Sequence, residues 1–186
     1  MGFHALFLAF MSMVALQQGR PHAHSKAAVL ADFQQRVTQF AQLHERLARQ
    51  AGELNETRSQ VEIATRAANL GRALQAARLS AKQGDLFTPA AGRMFRDLIR
   101  REYRRRTADV KKSRQDADEE VPDFIPRVNA LYPTTFPLGT FPASLLQVLP
   151  PLPPQLEYRF VGRYLVLRDV EANLIIDVLP NALRQE

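Results

Sequence analysis

Arginine dominates the residues of this chain that can do chemistry. Arg93, Arg96, Arg100 and Arg104 follow one another at intervals of three or four, and Arg101, Arg105, Arg106, Lys111, Lys112 and Arg114 crowd the same stretch. Residues three and four apart share one side of an α-helix. The four arginines therefore predict a cationic stripe able to hold the phosphates or carboxylates of lipid headgroups, of an acidic polymer or of nucleic acid. The plainer reading is a solvated face, neutralised by Asp97, Glu102 and Asp109 and by the acidic run Asp116–Glu120 that follows.

The other chemical side chains are sparse. His22 and His24 form an H-x-H pair able to share a cation, but four-ligand sites need further donors and none lies near in sequence. His44 sits on an apolar helical seam, where a polar residue sets register or partner choice. A ligand or general-base role is the alternative for it. Cysteine is absent, which removes disulfides, thiolate metal sites and thiol nucleophiles. There is no Gly-x-Ser-x-Gly and no phosphate-cradling glycine loop. Two carboxylate groupings exist. Asp169 with Glu171 falls in a turn pattern, where Asp is a routine turn former, and Asp116–Glu120 is a charge run. These patterns predict a protein that is not an enzyme, with no metal site and no cofactor.

The elements that must carry these residues are legible in the periodicity. The 186 residues suit one domain with a small appendage. The apolar run Ala5–Leu16 is too short to span a bilayer and suits the core of a secretory signal peptide. Ala23-His24-Ser25 fits small-x-small cleavage, so residues 1–25 are expected to be a signal peptide cut after Ser25, leading to a periplasmic or secreted protein. No Lys or Arg precedes the run, and a buried helix or an uncleaved anchor is the alternative.

Residues 26–114 are expected to form a helical bundle or coiled coil. Phe33, Val37, Phe40, His44, Leu47, Ala51 and Leu54 alternate by four and three, which keeps them on one seam. A turn or kink near Gly52–Asn55 leaves open whether 26–83 is one helix or two. An alanine-rich helical stretch is expected over Thr57–Lys82, with Gly84 as a left-handed helix end, Thr88 as the next cap and Pro89 in the first turn of a helix reaching about Arg114. Residues 115–155 are acidic and then proline-rich. Their aromatic and aliphatic content predicts a strap that packs on the fold, with one helical turn near Ala143–Val148. Residues 156–186 predict a three-stranded antiparallel β-meander, with Leu156, Tyr158 and Phe160 on one face of the first strand and Leu174, Ile176 and Val178 on one face of the third. Such a sheet needs a cover, and the strap or the third helix is the expected one. The fold class is α+β.

The stretch Gln83-Gly84-Asp85-Leu86-Phe87-Thr88-Pro89 before an arginine-rich helix, together with Leu152–Leu183, resembles uncharacterised exported bacterial proteins with no assigned activity. The C-terminal thirty residues are also similar in outline to the short meander of a periplasmic nickel/cobalt-homeostasis family. That resemblance implies an envelope protein with a meander and carries no functional residue across. The net charge of +6 favours anionic partners. The expectation is an exported, non-enzymatic envelope protein that binds or scaffolds, with self-association through the helical seam as one partner mode. Two alternatives stand beside it: a binder of anionic membrane surface or polymer through Arg93, Arg96, Arg100 and Arg104, and a periplasmic metal-stress protein. Export makes nucleic acid an unlikely partner, and nothing in the pattern implies a small-molecule substrate.

Overall fold

The computed structural model describes residues 25–51, 59–105, 124–136 and 141–183. Three helices lie on one face of a C-terminal sheet: α1 (Lys26–Gln50), α2 (Gln60–Ala77) and α3 (Pro89–Arg105). A single turn, α4 (Ala143–Val148), precedes β1 (Leu156–Val161), β2 (Tyr164–Asp169) and β3 (Leu174–Leu179). The sheet is an antiparallel meander in the order β1-β2-β3. The α+β class, the N-terminal helices and the meander are those expected. The expected signal peptide up to His24, the turn near Gly52–Asn55, the helix beyond Arg105 and the acidic run lie outside the described residues.

Local chemistry starts each of the three long helices. The Ser25 hydroxyl accepts the Ala28 N–H at 3.2 Å, and Ser59 accepts the Glu62 N–H at 3.4 Å. Thr88 accepts the Ala91 N–H at 3.3 Å, as its position before Pro89 predicts. On α1 the seam residues Val29, Phe33, Val37, Phe40 and His44 are all buried. Phe33 meets Phe87 and Phe95 at ring centroids 5.9 and 4.9 Å apart, and Phe95 meets Tyr158 at 5.8 Å, which ties α1 and α3 to β1. Since each large apolar side chain removed from water contributes about 1.5–3 kcal/mol, this cluster is where the helices and sheet are chiefly joined.

Helix α2 is shorter than expected, stopping at Ala77 rather than near Lys82. Two tertiary contacts end it. Arg78 turns inward, its guanidinium over the Phe40 ring and donating to the Ile176 carbonyl at 2.9 Å. Asn129 of the strap donates to the Gln75 and Arg78 carbonyls at 3.1 and 3.2 Å, satisfying acceptors the helix end leaves over. Gly84 does take positive φ, but within the α2–α3 connection rather than at a helix end. Gly71 lets α2 approach the β2–β3 turn closely, since a Cβ there would stand 3.2 Å from the Ala172 carbonyl oxygen.

Both expected covers are used: the helices, with Leu145 and Leu149 of the strap, cover one face, and the strap's Phe124–Phe136 stretch covers the other. Leu156, Tyr158, Leu165, Leu167, Leu174, Ile176 and Leu179 join the core shared with the helices. Val161, Val166, Ile175 and Val178 face a second cluster with Tyr132, Phe124, Val128 and Phe136 of the strap. The strap also lines the outer edge of β3: Asn129 and Tyr132 N–H groups donate to the Ile175 and Asn173 carbonyls, and Ala130 accepts from Ile175, each at 2.8 Å. Pairing of this kind blunts an exposed strand edge.

The face assignment of β3 needs correction. Leu167 pairs Asp177 and Arg168 pairs Ile175, so Ile176 is an extra residue in a β-bulge. The bulge reverses the alternation beyond it. Val178 consequently lies on the strap side, opposite Leu174 and Ile176, while Asp177 turns to the helix side.

Candidate functional site

Helix α3 carries the arginine stripe. Its inner side, Ala91, Gly92, Phe95, Ile99 and Glu102, is buried. At about 100° per residue, Arg93, Arg100 and Arg104 fall within roughly 40° of one another and span about 16 Å along the axis. All three are exposed, as are Arg101 and Arg105. Asp97 is the carboxylate on this side, 2.5 Å from Arg101 and 4.0 Å from Arg100.

Arg96 departs from the expected stripe. Its Nε and Nη2 both donate to the Pro180 carbonyl, at 3.1 and 3.0 Å, and burial pulls its guanidinium below the usual arginine range. The same residue type at the same spacing thus does two jobs. Arg96 anchors α3 to the end of β3, and Arg93, Arg100 and Arg104 are left facing outward.

A second charged cluster lies inside the molecule. His44 Nδ1 is 2.6 Å from Asp169 Oδ2, and its Nε2 is 3.3 Å from Glu171 Oε2. The other Glu171 oxygen accepts from Arg66 Nε at 2.9 Å, and the second Asp169 oxygen accepts the Ala172 N–H at 2.8 Å. Burial disfavours the charged imidazole, yet the hydrogen bond to Asp169 and the charges of Asp169 and Glu171 outweigh it, so the His44 pKa is raised. The histidine is 4% exposed. With both ring nitrogens facing carboxylates and the imidazole and Asp169 buried, this is the arrangement of a structural ion pair. The pairing of Asp169 with Glu171 is more than turn chemistry: Asp169 closes β2, Glu171 sits in the turn, and both converge on α1.

Asp177 occupies a third polar site. Its Oδ1 accepts from the Gly84 and Val178 N–H groups at 2.9 and 2.7 Å, and its Oδ2 accepts from Leu86 and Phe87 at 2.8 and 2.7 Å. Burial pushes this carboxyl up, against the pull of those four donors. The concave run of amides between α2 and α3 is a ready anion cradle, and the protein's own carboxylate fills it.

Sequence reasoning located His44 on its seam and the arginines on their helix. It did not join His44 to Asp169 and Glu171, which lie more than a hundred residues away, nor predict that Arg66 would be the fourth member. A charged residue at a seam position, matched by a surplus of carboxylate in a distant turn, is the only signal available for such a pair. His22 and His24 lie outside the described residues, and among the described residues no group of three His, Cys, Asp or Glu side chains is placed to hold a metal ion. Among the described residues no helix is long and apolar enough to cross a membrane. No protein-family model, curated protein or solved structure matches the chain.

Proposed function

We propose that this chain is an exported, non-enzymatic binding protein of the bacterial envelope, and that it docks on an anionic surface through the outward side of α3. The observation that carries the reading is the division of labour among the arginines: Arg96 is spent on the fold, while Arg93, Arg100 and Arg104 are exposed on one arc. Arginine forks pair well with phosphate and carboxylate oxygens, and a helix offering several of them over about 16 Å suits a surface rather than a single small anion. Export rests on the apolar run Ala5–Leu16 and the small residues before Lys26. The seam on which self-association was expected has Phe33, Val37, Phe40 and His44 buried inside the chain, so α3 is the better candidate for contact. The metal-stress reading rests on His22 and His24 and on the likeness of the meander, and the described geometry adds no metal site to it.

The test is sedimentation of the full chain with vesicles of phosphatidylglycerol and phosphatidylcholine, with neutral vesicles and a soluble anionic polymer as separate arms. Binding to the anionic vesicles is expected to weaken steeply with salt, because exposed charges are screened within about 10 Å at 0.1 M. The triple variant Arg93→Glu, Arg100→Glu, Arg104→Glu is expected to lose it. Preference for the polymer arm would move the partner from lipid to polymer. Binding that ignores salt, or survives the charge reversal, overturns the reading.

A further inference from the structure

The His44 cluster takes no part in the contact proposed for α3, yet it joins α1 to three other parts of the fold. Asp169 reaches it from β2, Glu171 from the β2–β3 turn, and Arg66 from α2 through Glu171. Arg78, just beyond α2, acts on Asp169 through its charge. The two arms of the histidine are unequal. Asp169 is fully buried, whereas the Glu171 side chain is 34% exposed.

We propose that His44, Glu171 and Arg66 form a proton-gated latch that fastens α1 and α2 to the β2–β3 turn. With both ring nitrogens protonated, the imidazolium donates from Nδ1 to Asp169 and from Nε2 to Glu171. Neutral imidazole has one N–H. Buried Asp169 keeps it, because its Oδ2 is sealed from water and His44 is the donor placed on it among the described residues. The Nε2 lone pair then faces the Glu171 carboxylate, acceptor against acceptor. Glu171 can turn toward water, and the bridge from α1 through Glu171 to Arg66 is cut.

The turn itself reports the state of the latch. Ala172 donates its N–H to Asp169, and its carbonyl is the group that α2 approaches at Gly71. Loosening the Glu171 arm therefore loosens the backbone against which α2 packs. Opening is coupled to release of one proton. The open population should be flat below the value that His44 takes with Asp169 still bound and the Glu171 arm released. It should then rise by up to about tenfold per pH unit until the higher value of the closed latch, which the Glu171 charge adds to, is passed, and level off above it.

The experiment is amide exchange of Ala172 in the full chain between about pH 5.5 and 9.5, corrected for the intrinsic pH dependence of exchange, with the His44 ring followed by NMR. Opening at Ala172 is expected to track the His44 titration. Glu171→Gln is the deciding variant, since an amide can accept from the imidazolium or donate to the neutral ring. It should flatten the pH dependence of opening and lower the His44 titration point, while the fold stays intact. A flat profile in the unmodified chain, or an unchanged profile in Glu171→Gln, overturns the latch. A purely structural role for Glu171 would change the level of opening and leave its pH dependence in place.

Discussion

His44 Nδ1 stands 2.6 Å from Asp169 Oδ2, with side chains 5% and 0% exposed, so a helix near the start of the described chain and a strand near its end meet in a buried charged pair. Removing one member of such a pair leaves the other charge uncompensated, at a cost of about 3–5 kcal/mol. Asp169→Ala is therefore expected to lower stability by that amount in urea unfolding at neutral pH. The pH dependence has a definite sign. His44 has a raised folded pKa, so its contribution is complete below the unfolded imidazole value of about 6.5 and is lost as pH rises through the folded value. In Asp169→Ala this loss on the alkaline side should shrink, because the strongest reason for the raised pKa is gone. An alkaline limb identical to that of the unmodified chain would contradict the assignment.

Glu157 sets the opposite limb. Burial raises its carboxyl, but hydrogen bonds and charges from Arg159 and Arg168 prevail and hold it below the usual glutamate range. Its stabilisation is thus present above the unfolded value of about 4.3 and lost as pH falls through the folded one. Glu157→Gln is expected to flatten stability against pH below about 5 while leaving the alkaline limb unchanged. Denaturant midpoints across the acid range check this. A Glu157→Gln profile as steep as the original would assign acid sensitivity elsewhere.

Asp177→Asn tests the anion cradle between α2 and α3. Both carboxylate oxygens accept two backbone N–H groups each, so an amide must point its own NH2 at one of those pairs. Two buried N–H donors lose their acceptor, at about 1–3 kcal/mol each. The expected result is a stability loss of about 2–6 kcal/mol, with fast amide exchange appearing at Leu86 and Phe87 or at Gly84 and Val178. A near-neutral variant would mean that water replaces the carboxylate.

The parts of the fold that were legible are those written in local pattern. Phe33, Val37, Phe40 and His44 repeat with the helix period, and Leu156, Tyr158 and Phe160 with the strand period, and each set buries one side as its period requires. Thr88-Pro89 marks a helix start through chemistry confined to four residues. What escaped was set by distant partners. Nothing near Ala77 in sequence ends α2; Asn129 and the Phe40 ring do. Nothing in Leu174–Val178 announces a bulge, yet the pull of the Gly84, Leu86 and Phe87 amides on Asp177 is satisfied only if Asp177 turns to the helix side. The arginine stripe was read by spacing alone, and spacing cannot tell Arg96, which finds the Pro180 carbonyl, from Arg93 and Arg100, which do not.

The capping role of Ser25 bears on the proposed cleavage after it. Its hydroxyl accepts the Ala28 N–H, and its carbonyl accepts the Val29 N–H at 3.0 Å. Cleavage after Ser25 removes both acceptors and places a positively charged amino group at the start of α1, against the helix dipole. Loss of a serine cap costs about 0.5–2 kcal/mol. A chain beginning at Lys26 is therefore expected to unfold at lower urea than one beginning at His24, by an amount equivalent to about 1–2 kcal/mol. The difference should narrow at high pH, where the new amino group loses its charge. Paired denaturation curves of the two chains measure it, and mass spectrometry of the protein as the cell makes it tells whether the proposed cut occurs. Equal midpoints would show that α1 is held by its buried seam alone and that the cap adds nothing. A clear deficit for the Lys26 chain would show that the Ser25 cap contributes to the fold and would count against the proposed cut after Ser25.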